Sequence, residues 1–69
     1  MEKIVLHVEG MGCEHCVRAI ESAVGSLPGV ARVLVDLAGK TATVEYDPAE
    51  CELLDIKAAI EDQGYDVVG

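Results

Sequence analysis

Tryptophan and phenylalanine are missing from this chain, and Tyr46 and Tyr65 are its only aromatic residues. The core must therefore be built from Val, Leu, Ile and Ala. Basic residues are scarce as well. Five Lys and Arg stand against 13 Asp and Glu, giving a formal charge of −8. That balance disfavours a nucleic-acid partner, which needs a basic face, and docking to an anionic lipid leaflet. It leaves two readings: a plain solvated acidic surface, or a protein partner with a basic patch. Long apolar runs are also lacking. Residues 1–9 contain Glu2, Lys3, His7 and Glu9, which is no secretion signal. No stretch has the length of a membrane span, so no direct membrane insertion is expected. Cysteine is present three times, an odd number that argues against a disulfide framework. A reducing, cytoplasmic location is the expectation. A chain of 69 residues is expected to form one domain, 1–69. At this size roughly 60% of the unfolded surface is buried, so a deep pocket for an organic substrate, and hence an enzyme, is not expected.

What is there is a clear alternation of patterns. Lys3 to Glu9 has strand period, with Ile4, Leu6 and Val8 on one face. His7 lies on the other face. Gly10-Met11-Gly12 breaks the alternation. Val17, Ile20, Val24 and Leu27 then repeat at helical spacing, predicting a helix from Glu14 to about Ser26, ended by Pro28-Gly29. Val30 to Leu37 predicts a second strand, Ala38-Gly39-Lys40 a turn, and Thr41 to Tyr46 a third strand. After Asp47-Pro48, the residues Leu53, Ile56, Ala59 and Ile60 mark a second helix ended by Gly64. Tyr65 to Val68 completes the order β-α-β-β-α-β. An α+β, ferredoxin-like sandwich solves this order, with a four-stranded antiparallel sheet under two helices on one face. In that topology residues 10–14, residues 38–40 and Gly64-Tyr65 meet at one end. Cys51 goes to the other.

Cys13 and Cys16 lie in the run Gly10-Met11-Gly12-Cys13-Glu14-His15-Cys16, between the first strand and the first helix. Thiolates ligate metal, and unpaired N–H groups and the dipole at a helix start favour them. Two sulfurs are half of a zinc tetrahedron, and the chain has no second Cys-x-x-Cys and no His pair. Soft thiolates without hard donors select Cu(I). An under-coordinated ion leaves room for an incoming thiol, so it can be handed over stepwise without being set free.

This run resembles the G-M-x-C-x-x-C signature of heavy-metal-associated domains. The likeness extends over the chain, and the segment Ala59-Ile60-Glu61-Asp62-Gln63-Gly64-Tyr65-Asp66-Val67 is similar to the second-helix end of CopZ-type bacterial copper chaperones. His15 between the cysteines fits that subgroup. The resemblance implies Cu(I) held by Cys13 and Cys16, delivery to a copper-transporting P-type ATPase, and a copper-bridged homodimer. It also implies that Met11 anchors the loop in the core rather than serving as a third ligand. Two positions depart from the family pattern. Gly12 replaces a Ser or Thr, which predicts a more mobile loop. Glu52 stands where a Ser or Thr caps the second helix, which predicts a weaker helix start.

Around the pair, His15 reads equally as a tuning group and as a surface histidine. Tyr65 reads as a hydroxyl donor to a sulfur or as packing at the rim. Cys51 reads as a small apolar packing residue, His7 as a plain surface residue, and Glu50, Glu52, Asp55, Glu61 and Asp62 as a solvated face. Two other functions compete. A thiol-disulfide oxidoreductase shares the C-x-x-C at a helix start, but the chain is short, has no aromatic residue beside the motif and has the wrong strand order. A metal-binding domain of a copper or mercury transporter is nearer. The start at Met1 and the end just past the last strand favour a stand-alone protein.

Overall fold

The computed structural model describes residues 1–68. The elements follow in the order β1 (Glu2–Glu9), α1 (Glu14–Gly25), β2 (Val30–Asp36), β3 (Thr41–Tyr46), α2 (Leu53–Asp62) and β4 (Asp66–Val67). The strands form one sheet in the order β2-β3-β1-β4. Every pairing is antiparallel. This is the expected ferredoxin-like βαββαβ sandwich, reached because each amphipathic element has one apolar side to bury.

Alternation decides which side that is. Leu6 and Val8 of β1, with Ala42, Val44 and Tyr46 of β3, are buried under the helices. Ile20 and Val24 of α1 and Ile56 and Ile60 of α2 close over them, all four at 0% exposure. On the open face Val5 pairs with Thr43, which pairs with Leu34, and Val5 and Leu34 are exposed. His7 is exposed on that face too. The core is a single aliphatic layer with Tyr46 at one margin, as a chain without Trp or Phe requires.

The turns explain where the elements stop. β2 ends at Asp36, one residue short of the sequence expectation, because the Asp36 carboxylate accepts the Gly39 N–H at 3.2 Å and starts the turn. Lys40 completes it in the left-handed region, at φ 55°. Its carbonyl accepts the Val8 N–H at 2.9 Å, which places the turn beside the end of β1. At the opposite end the Gly29 carbonyl accepts the Asp47 N–H at 2.7 Å. Gly29 has φ 85°, and a Cβ there would stand 2.8 Å from that of Glu50.

Two local expectations change. The last strand covers Asp66–Val67 rather than Tyr65 to Val68. Gly64, at φ 93°, turns the chain and leaves Tyr65 outside the ladder. The start of α2 is also secured without Ser or Thr. The Glu52 N–H donates to the Asp55 carboxylate at 3.2 Å, the return half of a capping box.

Replacing Ile20 by Ala deletes fully buried volume and should cost about 3 kcal/mol in urea denaturation. Val5→Thr, on the open face, should change stability by less than about 0.5 kcal/mol.

Candidate metal centre

The cysteine loop is held at both ends. β1 delivers it at Glu9, and Gly10 turns it at φ 97°. Met11 is 9% exposed and belongs to the core cluster with Val8, Ile20 and Ile60. Burying Met11 commits its thioether to the core and throws Gly12 and Cys13 outward. Cys13 then occupies the N-cap of α1 in extended conformation. Its carbonyl accepts the N–H groups of Cys16 at 3.1 Å and Val17 at 3.4 Å. Cys16 thus sits in the first helical turn with its sulfur beside that of Cys13.

The two sulfurs are 3.6 Å apart. A disulfide needs about 2.05 Å, and both residues are free thiols. With metal–sulfur bonds of about 2.3 Å, this separation gives an S–M–S angle near 100°. Opening it by about 1 Å makes the angle linear. Cys13 is exposed and Cys16 is half-buried, so the pair presents one accessible and one sheltered donor. Among the described residues no group of three or more His, Cys, Asp and Glu side chains gathers to hold a metal ion. Two adjacent sulfurs can offer a metal ion two soft donors.

The Cys16 thiol is lowered to about 7. The Gly12 backbone N–H contributes most, and the Tyr65 hydroxyl is next, both donating to the sulfur. The same contact raises Tyr65, since a hydroxyl held by a thiolate gives up its proton less readily. Tyr65 packs beside Gly10, whose φ of 97° turns the loop toward it. A Cβ on Gly10 would lie 3.4 Å from the Tyr65 ring. Tyr65 thus meets the cysteine loop as expected, and the Lys40 turn lies beside the end of β1 that leads into it.

Of the other residues considered from the sequence, His15 is exposed and lines a small surface hollow with Glu14 and Arg18. No hydrogen bond joins it to either sulfur among the described residues. Cys51 is 3% exposed at the far end, and its thiol donates to the Glu52 carbonyl at 3.7 Å. Burial, aided by Asp55 and Glu52, pushes that thiol up and makes it a poor nucleophile. The part played by the Gly12 amide was not legible beforehand. Its glycine suggested only mobility, and nothing in a sequence marks which amide will face a sulfur.

The sequence profile of heavy-metal-associated domains matches residues 5–66. The chain belongs to this family. A heavy-metal-associated relative from Bacillus subtilis, named copper chaperone CopZ, is 51% identical over 67 residues, covering 97% of both chains. A solved CopZ metallochaperone is 45% identical with a TM-score of 0.95, covering 97% of this chain and all of that one. The family likeness extends to a membrane pump. The Cu(I)-loaded N-terminal domain of a potential copper-translocating P-type ATPase from Bacillus subtilis is 38% identical with a TM-score of 0.90, over 94% of this chain and 81% of that one.

Thiolate absorbance should rise with a first midpoint near pH 7, the value to which Cys16 is lowered. Tyr65→Phe removes a donor to the thiolate, so it should move that midpoint upward. An unmoved midpoint would show that the hydroxyl does not reach the sulfur.

Proposed function

We propose that this chain is a copper chaperone that binds one Cu(I) between Cys13 and Cys16 and passes it to a copper-transporting P-type ATPase. The observation that carries the reading is the isolated sulfur pair, 3.6 Å apart, on a chain 51% identical along nearly its whole length to a copper chaperone. A site with two soft donors favours a monovalent soft ion over zinc, which completes a tetrahedron. Copper stays Cu(I) throughout, so transfer is ligand exchange and needs no electron.

The geometry suits such exchange. An incoming thiolate from the acceptor meets the exposed Cys13 side and adds to the ion. One chain sulfur then leaves and takes a proton, while the other holds until a second acceptor thiolate arrives. A thiol near pKa 7 is half-deprotonated at neutral pH, so it binds readily and also releases readily. Below that pH protons compete with the metal, and the apparent affinity should fall. Tyr65 and Met11 act as neighbours of the sulfurs, one donating to Cys16 and one pinning the loop. His15 stands at the exposed rim, where it would face a second copy in a copper-bridged homodimer. The cytoplasm, where thiols stay reduced, is the compartment that keeps the pair available.

The same domain in a pump supports a matching acceptor, since the Cu(I)-loaded ATPase domain shares this fold at 38% identity. An oxidoreductase role is a weaker reading, because no aromatic residue adjoins the motif in sequence and the all-antiparallel sheet is not that of a parallel redox fold.

Titration with Cu(I) against a strong chelator should show one ion per chain, and the combined Cys13→Ser and Cys16→Ser replacement should abolish it. Stoichiometric binding by that double variant would overturn the assignment. Sizing the loaded protein tests the dimer, which predicts a doubled mass that Cys13→Ser removes.

A further inference from the structure

We propose that the open groove between α1 and α2 docks a cationic amphipathic segment of a protein partner. The groove encloses about 630 Å³. Its floor is small and apolar, with Ala23 from α1 and Leu27 and Pro28 from the turn after it facing Ala58 and Ala59 from α2. Alanines leave the space unfilled, where longer side chains would have closed the two helices over it. Asp55, Ala58, Ala59 and Asp62 are spaced i, i+3, i+4, i+7, so one stripe of α2 presents two carboxylates with apolar residues between them. Glu50 adds a third carboxylate at the rim.

No Lys or Arg lines this groove. Carboxylates around an apolar trough ask for a ligand with the reverse pattern, an apolar centre flanked by cations. Asp55 and Asp62 are seven residues apart, about 10 Å along the helix axis. Lysines or arginines at i and i+7 of a partner helix, with an apolar side chain between, match that spacing. The net charge of −8 steers such a segment in from a distance. At this acidic rim it also disfavours a second copy of the equally acidic chain as the occupant. The groove runs from Glu50, beside Cys51 at the far end, along α2 to Asp62 and Gln63, just before the Gly64-Tyr65 turn at the sulfur end. A partner held along this groove raises the effective concentration of any acceptor it is linked to. The inference stands on the groove alone and does not depend on the metal proposed above.

The test uses the whole chain, isotope-labelled, and a synthetic helical peptide with Lys at i and i+7 around a central Leu. Its amide shifts should map to Ala23, Leu27, Ala58 and Ala59. Ala58 is exposed, so Ala58→Leu fills the groove without touching the core and should abolish binding. Charge reversal by combining Glu50→Lys and Asp62→Lys should weaken binding about tenfold. The proposal fails if Ala58→Leu binds the peptide unchanged, if a peptide with Ser in place of the central Leu binds equally well, or if the shifts spread over acidic residues elsewhere. It also fails if the same amides shift on concentrating the chain alone, which would assign the groove to a second copy.

Discussion

Burial of Met11 ties the cysteine loop to the core, and the geometry of the site follows from it. Between Val8 at the end of β1 and Ile20 on α1 the chain must cross from sheet to helix layer in a short loop. One of those loop residues, Met11, is drawn into the same aliphatic cluster as both neighbours. With Met11 inside, Cys13 has nowhere to go but out, and α1 begins there. The Gly12 backbone N–H and the Tyr65 hydroxyl then act on the Cys16 thiol and lower its pKa to about 7. A core of branched aliphatics without large aromatics is enough for this, because it has to fix only the helix start and the strand end.

A carrier has to hold its cargo against the surrounding solution and still give it up. The site answers both demands with asymmetry. Cys16 is half-buried, stabilised as thiolate and backed by Tyr65, whereas Cys13 is exposed on an extended cap. The third thiol is kept out of the exchange by 3% exposure, position at the opposite end and a raised pKa. A chain with three equally reactive cysteines could cross-link itself or trap the ion, and here only one pair is available.

The fold was legible in the sequence because its signals were periodic and local. Ile4, Leu6 and Val8 alternated, and Val17, Ile20, Val24 and Leu27 recurred by helical turns, and the structure follows both patterns. The misjudged boundaries, at Leu37 and at Tyr65, lie where a side chain or a glycine conformation ends a strand before its apolar pattern does. Asp36 caps its own turn, and Gly64 swings Tyr65 off the ladder. The meeting of Tyr65 with the cysteine loop could be reasoned from topology, since only one end of the sandwich receives those loops. The bond that the Glu52 amide donates to the Asp55 carboxylate and the effect of the Gly12 amide on Cys16 could not, as each depends on dihedral angles that residue types leave open.

The central claim is direct hand-over of an ion held by two thiolates. It is tested most directly by mixing the Cu(I)-loaded chain with the metal-binding domain of a copper-transporting P-type ATPase in the presence of a chelator that traps free ion. The account predicts that copper reaches the domain faster than it dissociates into the chelator, and that serines in place of the acceptor cysteines stop it. Transfer no faster than dissociation, with the chelator capturing the copper first, would contradict it.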